Sequence, residues 1–174
     1  MNDLTFKKAE ESDIDVILGV YNYYVLNTTA NFYHHAISKE ELRQLIFIGH
    51  EKYQTYLIDC GNEIAGFCFL TQYKKREAYS RTSEIGVYLK PEFSGKGLGG
   101  SIVAFLEETA VSRQIGVILA SISGENTASI RLFEKMGYEK CAHYKEVGEK
   151  FGRLLDVVDY QKILKSKKKD DNNG

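Results

Sequence analysis

Residues 82–100 read TSEIGVYLKPEFSGKGLGG and decide the fold of this chain. Residues 82–89 alternate apolar with polar or small side chains, which is typical of a β-strand with two different faces. Four glycines then fall within six residues, between Gly95 and Gly100, directly before a segment with apolar residues at helical spacing. The stretch therefore predicts a strand, a glycine-rich turn and a helix in immediate succession.

A glycine-rich turn before a helix is a candidate anion site. It presents several backbone N–H groups at a helix N-terminus, where the helix dipole also favours negative charge. Glycine permits positive φ and lets the backbone approach a phosphate closely, and Lys96 adds a positive charge. We expect the turn to bind a pyrophosphate group; a tight turn without a ligand is the alternative.

Gly95, Gly97 and Gly100 also satisfy the G-x-G-x-x-G pattern of dinucleotide-binding folds. That fold needs an acidic residue about 20 positions later, at the end of the next strand. The next predicted strand, residues 117–123, offers none, and repeated strand–helix–strand units are lacking. The residues therefore favour a pyrophosphate-binding turn of another kind over a dinucleotide fold.

The rest of the chain predicts strands and helices on both sides of this stretch. Ser12 and Ser38 each begin a capping-box pattern followed by helical spacing. Gly61-Asn62 joins two apolar runs as a hairpin turn, and Gly137 fits a left-handed helix end. The predicted strands are 5–8, 55–60, 63–73, 82–89, 117–123, 139–146 and 153–163, and the later helices are 101–115 and 126–136. This order describes a mixed α/β (α+β) sheet.

Composition bounds the protein class. The 174 residues, 43% hydrophobic and 27% charged, predict one domain over residues 1–164 with a polar, disordered tail at 165–174. A net charge of −1 argues against nucleic-acid or membrane partners, and no apolar run reaches the roughly 18–20 residues of a membrane span. The first residues lack signal-peptide regions, so we expect a cytoplasmic protein. The three cysteines and four histidines lack metal-site spacing, so we expect no metal.

Three segments carry a family resemblance. Residues 84–89 read EIGVYL, residues 94–99 read SGKGLG, and residues 126–138 read NTASIRLFEKMGY. The first two resemble the coenzyme A motif, [QR]-x-x-G-x-[GA] after a strand, of the GNAT family of acetyl-CoA-dependent N-acetyltransferases. The third resembles the family motif N-x-x-S-x-x-L-[YFH]-E-K-x-G-[FY]. Ser94 departs from the usual Gln or Arg.

Further segments are similar to one GNAT subgroup, the phosphinothricin and methionine sulfoximine acetyltransferases. They are residues 21–32, 76–84 and 150–158, so the resemblance runs from about residue 4 to residue 163. It implies the GNAT fold, a central mixed sheet flanked by helices, with acetyl-CoA as co-substrate, no metal, and a homodimer.

The resemblance also implies which residues hold the coenzyme. They are Val87, Tyr88, Leu89, Gly95, Lys96, Gly97, Leu98, Gly99, Gly100, Asn126 and Ser129. From the residues alone, Asn126 also fits a plain helix N-cap, with Ser129 exposed.

Glu84 is the candidate general base. Attack on a thioester needs a neutral amine, and an alkyl amine is mostly protonated at pH 7. Alternation puts Glu84 on one strand face with Gly86, whose missing side chain predicts space for a substrate or a water. A strand glutamate is more often merely solvated, and the match to the family's Glu-x-x-Val-Tyr pattern favours the base. A backbone N–H near Val87 is the expected oxyanion donor.

The proton donor for the leaving thiolate is left open. Phe133 stands where many relatives carry a tyrosine and cannot donate a proton. The alternatives are a proton from Tyr138, a proton from a water, or departure of the thiolate without a proton. A thiol pKa of about 8.5 makes the last one feasible.

Phe32, Arg76 and Tyr79 match positions that line the amino-acid pocket of the subgroup. The planar fork of an arginine suits a carboxylate, although Arg76 also fits a plain surface residue. The expected function is acetyl transfer to the primary amine of a small amino-acid-like compound, such as phosphinothricin, methionine sulfoximine or methionine sulfone. The alternative is a non-catalytic acetyl-CoA-binding regulatory module, which Ser94 and Phe133 favour and Glu84 opposes.

Overall fold

A computed structural model describes residues 4–164. Within these residues the chain forms a seven-stranded mixed sheet, in the order β1-β2-β3-β4-β5-β7-β6, together with four α-helices. The strands are β1 (Leu4–Lys8), β2 (Gln54–Cys60), β3 (Glu63–Gln72), β4 (Thr82–Leu89), β5 (Val117–Ser123), β6 (Glu139–Lys150) and β7 (Arg153–Ile163). The helices are α1 (Ile14–Asn27), α2 (Lys39–Leu45), α3 (Gly99–Ser112) and α4 (Thr127–Lys135). The predicted α/β class is confirmed, while the predicted tail lies outside the described residues.

Two apolar cores lie on opposite faces of the sheet. Buried residues of α3, such as Ile102 and Leu106, pack with β5 and β7 on one face. Buried residues of α1 and α2, such as Ile17 and Leu42, pack on the other face against β2 and β3. Alternation along β4 serves both cores, because Val87 contacts the first cluster and Tyr88 the second.

The pair β4·β5 is parallel, whereas the other strand pairs of the described chain are antiparallel. It is also short, since only Thr82–Glu84 of β4 pairs with Val117–Leu119 of β5. Strand β7 inserts between β5 and β6, so that β6 forms the sheet edge. The sheet is therefore weakly joined at its centre, where two strands leave each other after three residue pairs.

One helix cap differs from the sequence prediction. Ser38 caps α2 as expected, with a capping box in which Ser38 Oγ accepts from the Glu41 N–H (3.2 Å). Ser12 does not cap α1, because a 3₁₀ turn at Glu11–Asp13 precedes that helix. The reciprocal box there joins Glu10 and Asp13, whose carboxylate accepts from the Glu10 N–H at 2.9 Å. The chain begins to turn two residues earlier than the serine pattern suggests.

Boundaries elsewhere deviate slightly from prediction. Helix α3 begins at Gly99, inside the glycine run, and ends at Ser112. Strand β6 continues to Lys150, with register shifts against β7 that the sequence pattern does not reveal. Within residues 4–164, no helix is long and apolar enough to cross a membrane. The same residues hold no group of three potential metal ligands.

The two serines make opposite predictions about stability. Ser38→Ala should lower the free energy of unfolding by about 1 kcal/mol, because it removes an N-cap oxygen from a helix N–H. Ser12→Ala should leave it nearly unchanged, since Ser12 is exposed and lies within the 3₁₀ turn. Urea denaturation of both variants measures the two values, and an equal loss in both would contradict the observed capping.

Candidate active site

A cleft opens where β4 and β5 separate. Beyond Glu84 and Leu119 the two strands no longer pair, and the following residues of both strands line a space of about 570 Å³. The glycine-rich turn and the start of α4 complete its walls. The predicted site residues that line it together are Glu84, Val87, Tyr88, Leu89, Gly95, Gly97, Leu98, Gly99, Asn126 and Ser129.

Strand β4 presents free backbone groups to this cleft. The Lys90 N–H donates to the Ala65 carbonyl of the β3 side (2.8 Å), which sets the hydrogen-bonding alternation along β4. Antiparallel pairs alternate, so Val87 and Leu89 direct their N–H and C=O groups away from β3. Strand β5 does not pair with these two residues. The Val87 N–H therefore faces the cleft, while the Leu89 carbonyl accepts from the Tyr24 hydroxyl at 2.6 Å.

The glycine-rich turn adds more N–H groups. Gly95 and Gly97 have φ values of 73° and 78°, in the left-handed region that glycine adopts without strain. In α3 the Ile102 N–H bonds to the Leu98 carbonyl (3.2 Å), so the preceding amides of the first turn lack intrahelical partners. These N–H groups lie at the positive end of the 14-residue helix dipole. The turn is thus built to meet an anion.

Asn126 shows both features that its sequence position suggests. Its Oδ1 accepts from the Ser129 N–H at 3.2 Å, so it is the N-cap of α4. Both residues are half-buried and line the cleft, so Ser129 is not simply exposed. The cap fixes the Asn126 side chain at the cleft wall.

The Glu84 carboxylate lies at the fork between the two strands. It is the last β4 residue that pairs with β5, and it is half-buried. Burial raises the pKa of Glu84 above its ordinary value; Asp159 on β7 raises it further, and Lys74 opposes the rise. A carboxyl group with a raised pKa is a better proton acceptor near neutral pH than an exposed one.

Gly86 does not leave the open space that the sequence predicts. The ring of Phe69, from β3, fills it: a Cβ at Gly86 would lie 2.2 Å from Phe69 Cζ. The prediction of empty space is wrong because Gly86 and Phe69 are cross-strand partners on the same face. Glycine is required there for the packing of an aromatic wall.

Phe133 lines the cleft and is buried, in edge-to-face contact with Tyr138 (ring centroids 4.9 Å apart). Tyr138 is buried behind it and does not line the cleft. Burial raises the pKa of Tyr138, and Glu107 raises it further. The structure therefore gives Tyr138 no contact with the cleft.

Three predicted acceptor residues lie outside the cleft. Phe32 packs over Gly148 and, with Tyr21 and Asn31, lines a separate pocket of about 330 Å³. Arg76 is exposed between β3 and β4. Tyr79 is half-buried in the same connection, in edge-to-face contact with Tyr73 (5.5 Å).

Two predicted coenzyme residues also lie off the cleft wall. Lys96 projects over the Phe93 ring, with Nζ 5.2 Å from its centroid. Gly100 belongs to α3 and faces Met136. Sequence reasoning missed several residues that do line the cleft, namely Tyr24, Ala30, Phe69, Ser121, Ser123 and Leu132. Only the alternation of small residues in β5 could have indicated from the sequence that Ser121 and Ser123 line the cleft.

Side-chain contacts join the cleft wall to distant segments. Glu125, next to the Asn126 cap, accepts from the Thr29 hydroxyl (2.7 Å) and from both terminal nitrogens of Arg153 (3.0 Å each). The buried Lys150 ammonium donates to the Asn31 carbonyl, and burial lowers its pKa. The α1–α2 connection is therefore held between the β5–α4 turn and the β6–β7 hairpin.

The positive φ at Gly95 predicts that a side chain there lowers the stability of the protein. Gly95→Ala should destabilise the protein by about 1 kcal/mol, because an L-residue is strained in the left-handed region. Gly100→Ala is the matched control, since it lies in α3 with no atom closer than 3.7 Å to a new Cβ. It should be neutral or stabilising. Chemical denaturation compares the two, and equal stability of both variants would contradict the turn geometry.

Comparison with known proteins agrees with this geometry. Residues 6–158 match the family model described as an acetyltransferase (GNAT) domain. The chain is 30% identical over 167 residues to the phosphinothricin N-acetyltransferase of Streptomyces coelicolor, covering 93% of this chain and 97% of that protein. It is 32% identical over 158 residues to the L-methionine sulfoximine/L-methionine sulfone acetyltransferase of Pseudomonas paraeruginosa, covering 88% and 91%.

A solved structure shares the architecture. The GNAT phosphinothricin acetyltransferase from Sinorhizobium meliloti, solved in complex with AcCoA, superposes with a TM-score of 0.85 at 28% identity, covering 92% of this chain and 88% of that one. The family model, the relatives and the fold agree over nearly the same residues. The chain therefore belongs to the GNAT family of acetyl-CoA-dependent N-acetyltransferases, in its phosphinothricin acetyltransferase-like subgroup.

Proposed function

We propose that this enzyme transfers the acetyl group of acetyl-CoA to the primary amine of a small amino-acid-like compound, with Glu84 as general base. One observation carries the proposal: the half-buried Glu84 carboxylate lies at the fork of β4 and β5, on the same cleft as the free Val87 N–H. The proposed base, Glu84, and the proposed oxyanion donor, the Val87 N–H, are thereby held close together on one strand.

The cleft has the shape and donors that acetyl-CoA needs. The unpaired backbone of β4 offers hydrogen-bonding groups to the amides of the pantetheine arm. The N–H groups of the turn before α3 suit a pyrophosphate. We assign the coenzyme to the β4 edge, the turn and the α4 cap: Val87, Tyr88, Leu89, Gly95, Lys96, Gly97, Leu98, Gly99, Gly100, Asn126 and Ser129. Lys96 and Gly100 act through charge and backbone only, since neither lines the cleft. When bound, the coenzyme supplies the acetyl group as a thioester.

In the proposed reaction, Glu84 takes the proton that the amine gives up as its nitrogen bonds to the thioester carbon. The carbon–sulfur bond then breaks, and the Val87 N–H donates to the carbonyl oxygen while negative charge develops on it. Phe133 provides no proton, so the sulfur leaves as a thiolate or is protonated by water. Because the base must be ionised, activity should fall as pH drops through the raised pKa of Glu84.

We place the acceptor on the side of the sheet that Glu84 faces, beside α1 and the α1–α2 connection. Phe32, Arg76 and Tyr79 border that side, and we propose them as acceptor-binding residues. Arg76 suits a carboxylate because its fork forms bidentate hydrogen bonds. The named relatives act on phosphinothricin and on methionine sulfoximine or sulfone, which supports an amino-acid-like acceptor for this chain.

We also propose a homodimer through the β6–β7 hairpin. This edge exposes Tyr144, Val147, Phe151 and Leu154, four large apolar side chains that are each about half exposed or more. Several exposed apolar side chains at a sheet edge support association with a second copy of the chain. A cytoplasmic location stays a prediction of the sequence.

A panel assay tests the function against its rivals. Thiol release from acetyl-CoA should require a primary amine and be largest with amino-acid analogues such as phosphinothricin or methionine sulfoximine. Acetyl-CoA should raise the melting temperature, whereas NAD or NADP should not. Stabilisation by acetyl-CoA without turnover of any amine would instead favour the binding module, which Ser94 and Phe133 motivate.

Glu84→Gln tests the base. The substitution keeps the shape of the side chain but not its basicity, so kcat/KM at pH 7 should fall by about 10²–10⁴-fold. Activity should recover in part at high pH, where more of the amine is already neutral. Glu63→Gln, at the exposed start of β3, is the matched control and should retain full activity. An unchanged rate in the Glu84 variant would exclude it as the base.

A further inference from the structure

Asp159 of β7 faces the same side of the sheet as Glu84. In the strand register Glu84 pairs with Leu119, and Leu119 pairs with Gln161. Asp159 lies two residues before Gln161 and directly opposite Ser121. Because paired residues share a face and side chains alternate with period two, these carboxylates project to one face.

Strand β5 lies between the strands of the two carboxylates, and Ser121 links Asp159 to the cleft wall. Ser121 and Glu84 both line the cleft, and the Cβ atoms of directly opposed residues such as Ser121 and Asp159 lie about 5 Å apart. Helices α1 and α2 cover this face further along, over β2 and β3. Asp159 therefore adjoins the Glu84 side of the cleft, where the acceptor is proposed to enter.

One carboxylate oxygen of Asp159 lacks a partner within the described chain, while the same side chain lies within hydrogen-bonding reach of Tyr144. Its Oδ1 is inaccessible to solvent and has no hydrogen-bond partner among residues 4–164. Asp156, three residues earlier on the opposite face, is satisfied by the His143 ring (2.6 Å) and the Glu146 N–H (2.9 Å). A buried carboxylate oxygen without a donor is costly, so such a group usually serves a ligand that brings the donor.

The charges around Glu84 divide into two sides. Asp159 raises the pKa of Glu84, after burial, and it is also the main cause of the raised pKa of Tyr144 on β6. Burial raises the pKa of Cys141 on β6, and the Asp159 carboxylate raises it further. On the other side stands Lys74, which lowers the pKa of Glu84.

Lys74 belongs to a cationic and aromatic group on the β3–β4 connection. Its Nζ lies 4.8 Å from the ring centroid of Tyr73 and 5.3 Å from that of Tyr79. A hydrogen bond with Tyr73 raises the pKa of Lys74, and the nearby guanidinium of Arg76 opposes the rise. Tyr88, on the same face of β4, is half-buried, and desolvation raises its pKa. Glu84 thus stands between an anionic side and a cationic side.

We propose that Asp159 binds the ammonium group of the acceptor beside Glu84, while Lys74 and Arg76 bind its carboxylate. This inference rests on the proposed function and narrows its substrate class to zwitterions with an alkyl ammonium group. The ammonium donates to Asp159 on binding and loses one proton to water, which frees the lone pair of the nitrogen. The second proton passes to Glu84 as the nitrogen bonds to the thioester carbon. Asp159 exchanges no proton in this step and is a substrate-binding residue. Its charge also favours the cationic nitrogen formed during attack.

Asp159→Asn is the test, with Asp59→Asn on β2 as a control that removes the same charge far from the cleft. The KM for an amino-acid acceptor should rise about tenfold in Asp159→Asn, the effect of losing one charge-assisted hydrogen bond. The KM for acetyl-CoA should not change. The acid limb of kcat/KM should move to lower pH, because Glu84 loses a neighbouring like charge. For an aromatic amine as acceptor, which is neutral at pH 7, the KM should change little in Asp159→Asn.

A structural role predicts a different pattern. If Asp159 only supported the fold, its substitution would lower the melting temperature and leave the acceptor KM unchanged, and that result would overturn the inference. We expect the melting temperature to hold or rise, because the substitution removes a charge whose Oδ1 has no donor among residues 4–164.

The proposed function and this inference fail separately. Absence of turnover by the unmodified enzyme with every amine would refute the proposed function. The carboxyl ¹³C resonance of Glu84, followed against pH in both proteins, needs no turnover. An identical titration in the unmodified enzyme and in Asp159→Asn would overturn the pairing of the two carboxylates, and a lower pKa in the variant would support it.

Discussion

The separation of β4 from β5 is the constraint on which the site depends. Parallel strands normally satisfy each other's backbone groups along their whole length, and here they do so for three residue pairs. The remaining N–H and C=O groups of β4 have lost a protein partner and must meet a ligand or water. A cleft with amide donors and acceptors along one wall follows from this geometry before any side chain is considered.

Side chains and the glycine turn then make the two ends of the cleft chemically different. At the far end, the glycine turn and the dipole of α3 collect N–H groups for an anion. At the fork, Glu84 supplies the proton acceptor that we propose for catalysis. Phe69 and Phe133 make parts of the intervening wall apolar, and burial raises the pKa of Glu84.

Local patterns in the sequence predicted much of this, and long-range pairing explains the remainder. The bounds of β4, β5 and β7, the hairpin at Gly61-Asn62 and the Gly137 helix end all follow from alternation or turn chemistry and are confirmed. The filling of Gly86 by Phe69 does not follow, because it depends on the register between two strands. The neighbourhood of Glu84 and Asp159 depends on β7 lying beside β5, and no local pattern encodes a strand order.

The helix caps show the same limit at short range. Ser12 and Ser38 sit in similar patterns, yet only Ser38 forms the box. Glu10 and Asp13 offer a competing box two residues earlier, and the carboxylate of Asp13 accepts from the Glu10 N–H. Two overlapping local solutions were available to the chain, and the serine pattern alone does not decide between them.

The position of β7 in the sheet has a consequence for how the protein is made. The final strand lies inside the sheet, between β5 and the edge strand β6. Strand β6 emerges from the ribosome earlier but has no partner until β7 arrives, and Arg153 then connects the hairpin to Glu125 beside the cleft. A nascent chain therefore completes its central architecture only after β7 has been synthesised, and until then β5 keeps one side open to incorrect pairing.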